Sequence, residues 1–133
     1  GYVETLYGRR CHVPNINGKG PMRAFSERAA INAPLQGTAA DIIKRAMIAI
    51  DKGIREKALG ISVENSFSNA QCPMPNPSVK MLLQVHDELV LEVPEAQVED
   101  AKAHVKKCME QAAGLSVPLV VECGHGHQWR EAH

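Results

Sequence analysis

The sequence predicts an α+β fold in which antiparallel β-hairpins pack with helices. Three stretches carry that prediction. Residues 82–93 set two apolar arms around a short acidic centre, the pattern of a hairpin turning at His86 and Asp87. Ile42, Ile43, Ala46, Met47, Ile50 and Ile54 repeat apolar side chains at helical spacing, and residues 98–112 do so again. Residues 2–14 alternate around Tyr7, Gly8 and Arg9, which reads as a smaller hairpin with a glycine turn.

A length of 133 residues suits one domain with a modest core. Hydrophobic residues make up 44% and charged residues 23%, ordinary for a soluble globular chain. No apolar run approaches a membrane span, so no membrane partner is expected. Cys11, Cys72, Cys108 and Cys123 are scattered without a Cys-x-x-Cys pair, as expected of thiols in a reducing, cytoplasmic setting. The net charge of zero gives no overall pull toward nucleic acid. Its distribution is uneven, however. Residues 1–45 carry seven Lys/Arg against three Asp/Glu, and residues 46–133 carry eight against twelve. A basic first third suits phosphates, and an acidic remainder suits a metal or solvent.

Taken in order, the elements are a hairpin over 1–14, a Gly/Pro/Asn loop over 15–21, and helices over 26–59. Ser26 is the expected N-cap, and Pro34 is expected to kink or restart the helix. Thr38 with Asp41 three residues later has the form of a capping box for the longer second piece, with Gly60 as its stop. Arg28, Asn32 and Gln36 stand four apart and line one face of a continuous helix. As hydrogen-bond donors they suit the acceptors that the duplex minor groove offers at every base pair, and they equally suit a polar solvent face. Residues 60–79, with Pro73, Pro75 and Pro77, read as an irregular insertion. The central hairpin spans 80–93. Pro94 then opens a helix over 95–113, with acids early, lysines late and Gly114 at its end. A final strand is expected over 117–123.

The acidic turn of the central hairpin carries the chemistry. Asp87 and Glu88 place two carboxylates at the tip of a stiff element, and magnesium takes oxygen ligands, commonly from one or two carboxylates plus substrate phosphates. Taken alone, the same residues also suit a solvated turn. Cys123, His125 and His127 offer zinc ligands two apart, but alternate positions on a strand do not converge tetrahedrally and no fourth ligand lies near.

Four blocks add a family. Gln-Val-His-Asp-Glu-Leu-Val at 84–90 resembles the third polymerase motif of family A DNA polymerases. Glu-Arg-Ala-Ala-Ile-Asn-Ala-Pro-Leu-Gln-Gly-Thr-Ala-Ala-Asp at 27–41 resembles the helix block preceding it. The opening Gly-Tyr-Val-Glu-Thr-Leu-Tyr-Gly-Arg-Arg and the closing Trp-Arg-Glu-Ala-His are similar to the same family, so the likeness spans nearly the whole chain in the right order. It implies part of a polymerase palm with adjoining fingers helices, from a bacterial enzyme acting in DNA replication and repair near the nucleoid. The implied reaction joins a dNTP to a primer 3′-hydroxyl, with two Mg2+ ions. The resemblance gives Asp87 as metal ligand and catalytic carboxylate, and Glu88 as an auxiliary catalytic carboxylate. Arg28, Asn32, Gln36 and His86 become DNA-binding residues, with Arg9 and Arg10 as further DNA contacts. The implied partners are primer–template DNA, dNTP and the remainder of the polymerase chain.

Two departures stand out. The link over 60–79 is longer than the family's usual one. The family's first motif, with its own essential Asp, and the helix that grips dNTP have no counterpart in this sequence. The expectation is a C-terminal fragment that is inactive alone. A non-catalytic duplex-DNA-binding module is the alternative, and a zinc-stabilised structural domain stands behind it.

Overall fold

In the computed structural model the described residues are 1–58 and 79–132, with side chains described outside 56–58. They fall into two units, Gly1–Ile42 and Ile43–His133, whose boundary lies inside the long helix. The element order is β1 (Tyr2–Glu4), β2 (Arg10–His12), α1 (Pro21–Ala58), β3 (Lys80–Val85), β4 (Glu88–Glu92), a 3-10 turn (Glu95–Gln97), α2 (Val98–Ala112) and a second 3-10 turn (Trp129–Ala132). The fold is mixed α and β with two small antiparallel sheets, β1–β2 and β3–β4.

In the first unit, β1 and β2 pair with Val3 opposite Cys11 and Glu4 opposite Arg10. Gly8 takes φ +80° in the connecting turn, a conformation that costs glycine little. Gly20, at φ +69°, leads into Pro21 at the first position of α1, where a missing N–H goes unneeded. The helix therefore starts five residues before the Ser26 cap that the sequence suggests. Ser26 is instead buried within α1, and its hydroxyl donates to the Pro14 carbonyl at 2.6 Å.

The break expected at Pro34 does not form either: α1 runs through it. Thr38 Oγ1 donates back to the Pro34 carbonyl at 2.5 Å, bonding to the preceding turn as a mid-helix threonine can. The same oxygen accepts from the Leu6 amide at 2.9 Å. Thr38 and Asp41 thus face the β1–β2 hairpin from inside a continuous helix, and neither stands at a helix start.

In the second unit, Ile50, Val105 and Cys108 form a buried cluster with Ile54, Met81, Leu89, Leu91 and Met109 packed against it. Val79 and Ala101 form another beside Ile54, Leu91 and Val93. The helical stripe read from the sequence supplies Ile43, Ala46 and Ile50 to the buried set. His104 joins them at 5% exposure, its ring seated where a Cβ on Gly53 would come within 2.7 Å of Nε2. The sequence reading missed that residue, because a histidine breaks the apolar pattern that marks a core position.

No strand forms over 117–123. The Val121 amide donates to Glu110 Oε1 at 3.2 Å on α2, so this backbone is held by a side chain in place of a ladder. The helix expected over 95–113 opens as the 3-10 turn and becomes α-helical only at Val98. The insertion over 60–79 and the stop at Gly60 lie outside the described residues, apart from Val79, which is buried. Among the described residues no helix is long and apolar enough to cross a membrane. Among the described residues Cys11, Cys108 and Cys123 form no disulfide.

Candidate active site and nucleic-acid interface

The β3–β4 hairpin turns through two residues, His86 and Asp87, with Val85 opposite Glu88. His86 has φ +51°, in the left-handed region that histidine, asparagine and aspartate enter more readily than other side chains. Gln84 Nε2 donates to the His86 carbonyl and closes the turn from within. Register shifts between Met81 and Leu83, so Leu82 is the extra residue of a bulge that bends β3. His86, Asp87 and Glu88 are all exposed at the tip.

Asp87 and Glu88 present oxygen donors only. That set fits magnesium, which usually takes one or two protein carboxylates and fills its other positions with water and phosphate. Among the described residues no group of three or more His, Cys, Asp or Glu side chains comes together to hold a metal. Cys123 points to the Lys102 carbonyl at 4.0 Å, while His125 and His127 are exposed. The His127 amide donates to Glu131 Oε2 at 3.0 Å.

In the first unit, Arg28, Asn32 and Gln36 are exposed on α1, one helical turn apart. Among the described residues none of the three side chains makes an intramolecular hydrogen bond or ion pair. Their donors face outward together with the apolar side chains of Phe25, Ile31 and Leu35.

The two hairpin arginines are placed differently. Arg10 donates to Glu4 Oε1 at 3.1 Å and lies over the Tyr2 ring, 4.6 Å from its centroid. Arg9 reaches α1: its Nε is 2.7 Å from Asp41 Oδ1, Nη2 is 3.1 Å from the Gly37 carbonyl, and Nη1 is 3.9 Å from Cys11 Sγ. The hydrogen bond to Asp41 raises the guanidinium pKa above its already high ordinary value. Sequence reasoning passed over Gly37 and read Asp41 as half of a capping box, whereas it accepts from Arg9. The available signal was a glycine inside a helical run, which often marks close backbone approach.

A family model for DNA polymerase family A matches residues 1–131. The chain belongs to DNA polymerase family A. Among curated relatives it is 49% identical over 134 residues to DNA polymerase I of Pseudomonas aeruginosa, covering 100% of this chain and 13% of that protein. It is 48% identical over 133 residues to the thermostable DNA polymerase I of Thermus filiformis, covering 99% of this chain and 14% of that one. A solved structure of the POL domain of Pol1 from M. smegmatis, in complex with DNA primer-template and dNTP, superposes with a TM-score of 0.78. That match has 39% identity and covers 99% of this chain and 20% of the solved chain. This family A chain thus spans about an eighth of the length of the curated relatives it matches.

Proposed function

We propose that this chain supplies one part of a DNA-directed DNA polymerase: one carboxylate edge of the catalytic centre and a helix face that grips primer–template. The observation that carries the reading is the turn at His86 and Asp87, which holds an acidic pair at the tip of a hairpin in a family A chain. In the reaction, a primer 3′-hydroxyl attacks the α-phosphate of a dNTP and pyrophosphate leaves. Asp87 would hold Mg2+ and Glu88 would stand beside it as an auxiliary carboxylate. When bound, magnesium supplies Lewis acidity toward the phosphate oxygens and the leaving group.

The chain's own residues do the positioning. His86 faces the primer terminus from the same turn. Arg28, Asn32 and Gln36 donate to minor-groove acceptors that every base pair presents, and so grip duplex shape without reading sequence. Support for this comes from their shared exposed face and from side chains without intramolecular partners among the described residues.

The test is primer extension with magnesium and all four dNTPs. The chain is assayed alone and then mixed with the upstream part of a family A polymerase. Extension is expected from the mixture only, and Asp87→Ala abolishes it. Extension by this chain alone would show that the second metal carboxylate lies within these residues, and would overturn the division of the site.

A further inference from the structure

Arg9 is the basic residue nearest a glycine turn, where a phosphate contact is the first expectation. Its hydrogen bonds point elsewhere. The Nε and Nη2 edge of a guanidinium is one of its two forks for a planar anion. Here that fork is split between Asp41 Oδ1 and the Gly37 carbonyl, two acceptors one helical turn apart on α1. Nη1 lies at 3.9 Å from Cys11 Sγ, so the second fork is also drawn inward. The Asp41 side chain is only 12% exposed, against 46% for Arg9.

The surroundings are built to the same end. The Arg9 amide donates to Thr5 Oγ1 at 3.2 Å, and the Thr5 amide donates to the Arg9 carbonyl at 3.0 Å, which fixes the backbone that carries the guanidinium. A Cβ on Gly37 would meet Thr5 Cγ2 at 2.7 Å and Arg9 Nη2 at 3.3 Å, so glycine alone lets the hairpin approach this closely. Leu6 adds its amide bond to Thr38 Oγ1. Gly37, Thr38 and Asp41 are thus all engaged by the 5–9 turn. Gln36 is the residue immediately before Gly37, and Asn32 and Arg28 lie one and two turns further back.

We infer that Arg9 is a positioning residue: with Asp41 and Gly37 it clamps the β1–β2 hairpin to α1 and so sets the helix face that carries Arg28, Asn32 and Gln36. It does so in place of holding DNA phosphate. The inference rests on the proposed duplex-gripping role of that face.

The experiment measures binding of a fluorescent primer–template to this chain over a range of salt concentrations, for wild type, Arg9→Gln, Asp41→Asn and the double variant. Arg9→Gln and Asp41→Asn should each weaken binding about tenfold, with the double variant no worse than the poorer single one, since the two groups act as a pair. The slope of log affinity against log salt should stay at the wild-type value. A phosphate contact behaves otherwise: Arg9→Gln would reduce the slope by about 0.9 and Asp41→Asn would not weaken binding. That result overturns the inference.

Hydrogen exchange at the Leu6 amide reads the clamp without DNA and should quicken about tenfold in both single variants, as expected when a charge-assisted bond is lost. Failure of wild type to bind duplex would sink the gripping role itself. Unchanged Leu6 exchange in Arg9→Gln and Asp41→Asn would sink the clamp.

Discussion

Two glycines and one histidine show how single residues decide local geometry here. Replacing a helical glycine by alanine normally stabilises by about 1 kcal/mol through propensity. At Gly37 the new methyl would stand 2.7 Å from Thr5 Cγ2, and at Gly53 it would stand 2.7 Å from His104 Nε2. Overpacking of this kind costs about 1–3 kcal/mol, so the clash wins. Gly37→Ala and Gly53→Ala are each expected to lower the denaturation midpoint, and a rise in either would refute the close approach. His86 works the other way. Its φ of +51° costs about 1 kcal/mol or more for a side chain with a Cβ, a cost glycine escapes. His86→Gly should therefore hold or raise thermal stability while reducing primer extension by the reassembled polymerase. Unchanged extension would remove His86 from the primer terminus.

At the scale of elements, helical spacing and the hairpin pattern were legible because both periods show directly in the order of apolar residues. Ile43, Ala46 and Ile50 are buried as that spacing requires, and His86 and Asp87 form the turn. What could not be read depended on partners distant in sequence. Ser26 resembles a cap until Pro14, twelve residues earlier, accepts its hydroxyl. Pro34 reads as a break until the surrounding helix carries on through it. The 117–123 segment has strand composition, but Glu110 takes its Val121 amide and no ladder forms there. Cys123 on that segment supplies a pH test. Desolvation against α2 pushes its thiol pKa up, with Lys106 and Lys102 pulling it down less strongly. The neutral thiol is thus favoured in the folded state. Its contribution to stability is complete below the unfolded pKa and lost as pH rises through the higher folded value. Thermal melts of wild type and Cys123→Ser between neutral pH and about pH 10 should diverge only above about pH 8.5, with wild type losing more. Parallel curves would show that burial of the thiol does not matter.

Whole-molecule behaviour follows from the size of the sheet. Each described sheet has two strands, so among the described residues every strand keeps one edge without a ladder partner. A two-stranded hairpin is marginal in water unless it packs on something, and β3–β4 gains that support through Met81, Leu89 and Leu91 against Ile50, Val105 and Cys108. The rest of β3 is less well covered, with Leu82 55% and Leu83 42% exposed. Open strand edges with apolar side chains promote association between chains. Burying two leucines yields about 3–6 kcal/mol, whereas association costs about 4–15 kcal/mol in lost freedom. The balance predicts weak, concentration-dependent self-association and no stable dimer. The bulge at Leu82 twists the edge and acts in the same direction. Sedimentation velocity should show a weight-average coefficient rising with loading concentration, and Leu83→Lys should flatten it. A wild-type chain that stays monomeric across the whole concentration range would show that β3 is already protected, and that its two exposed leucines do no more than face solvent.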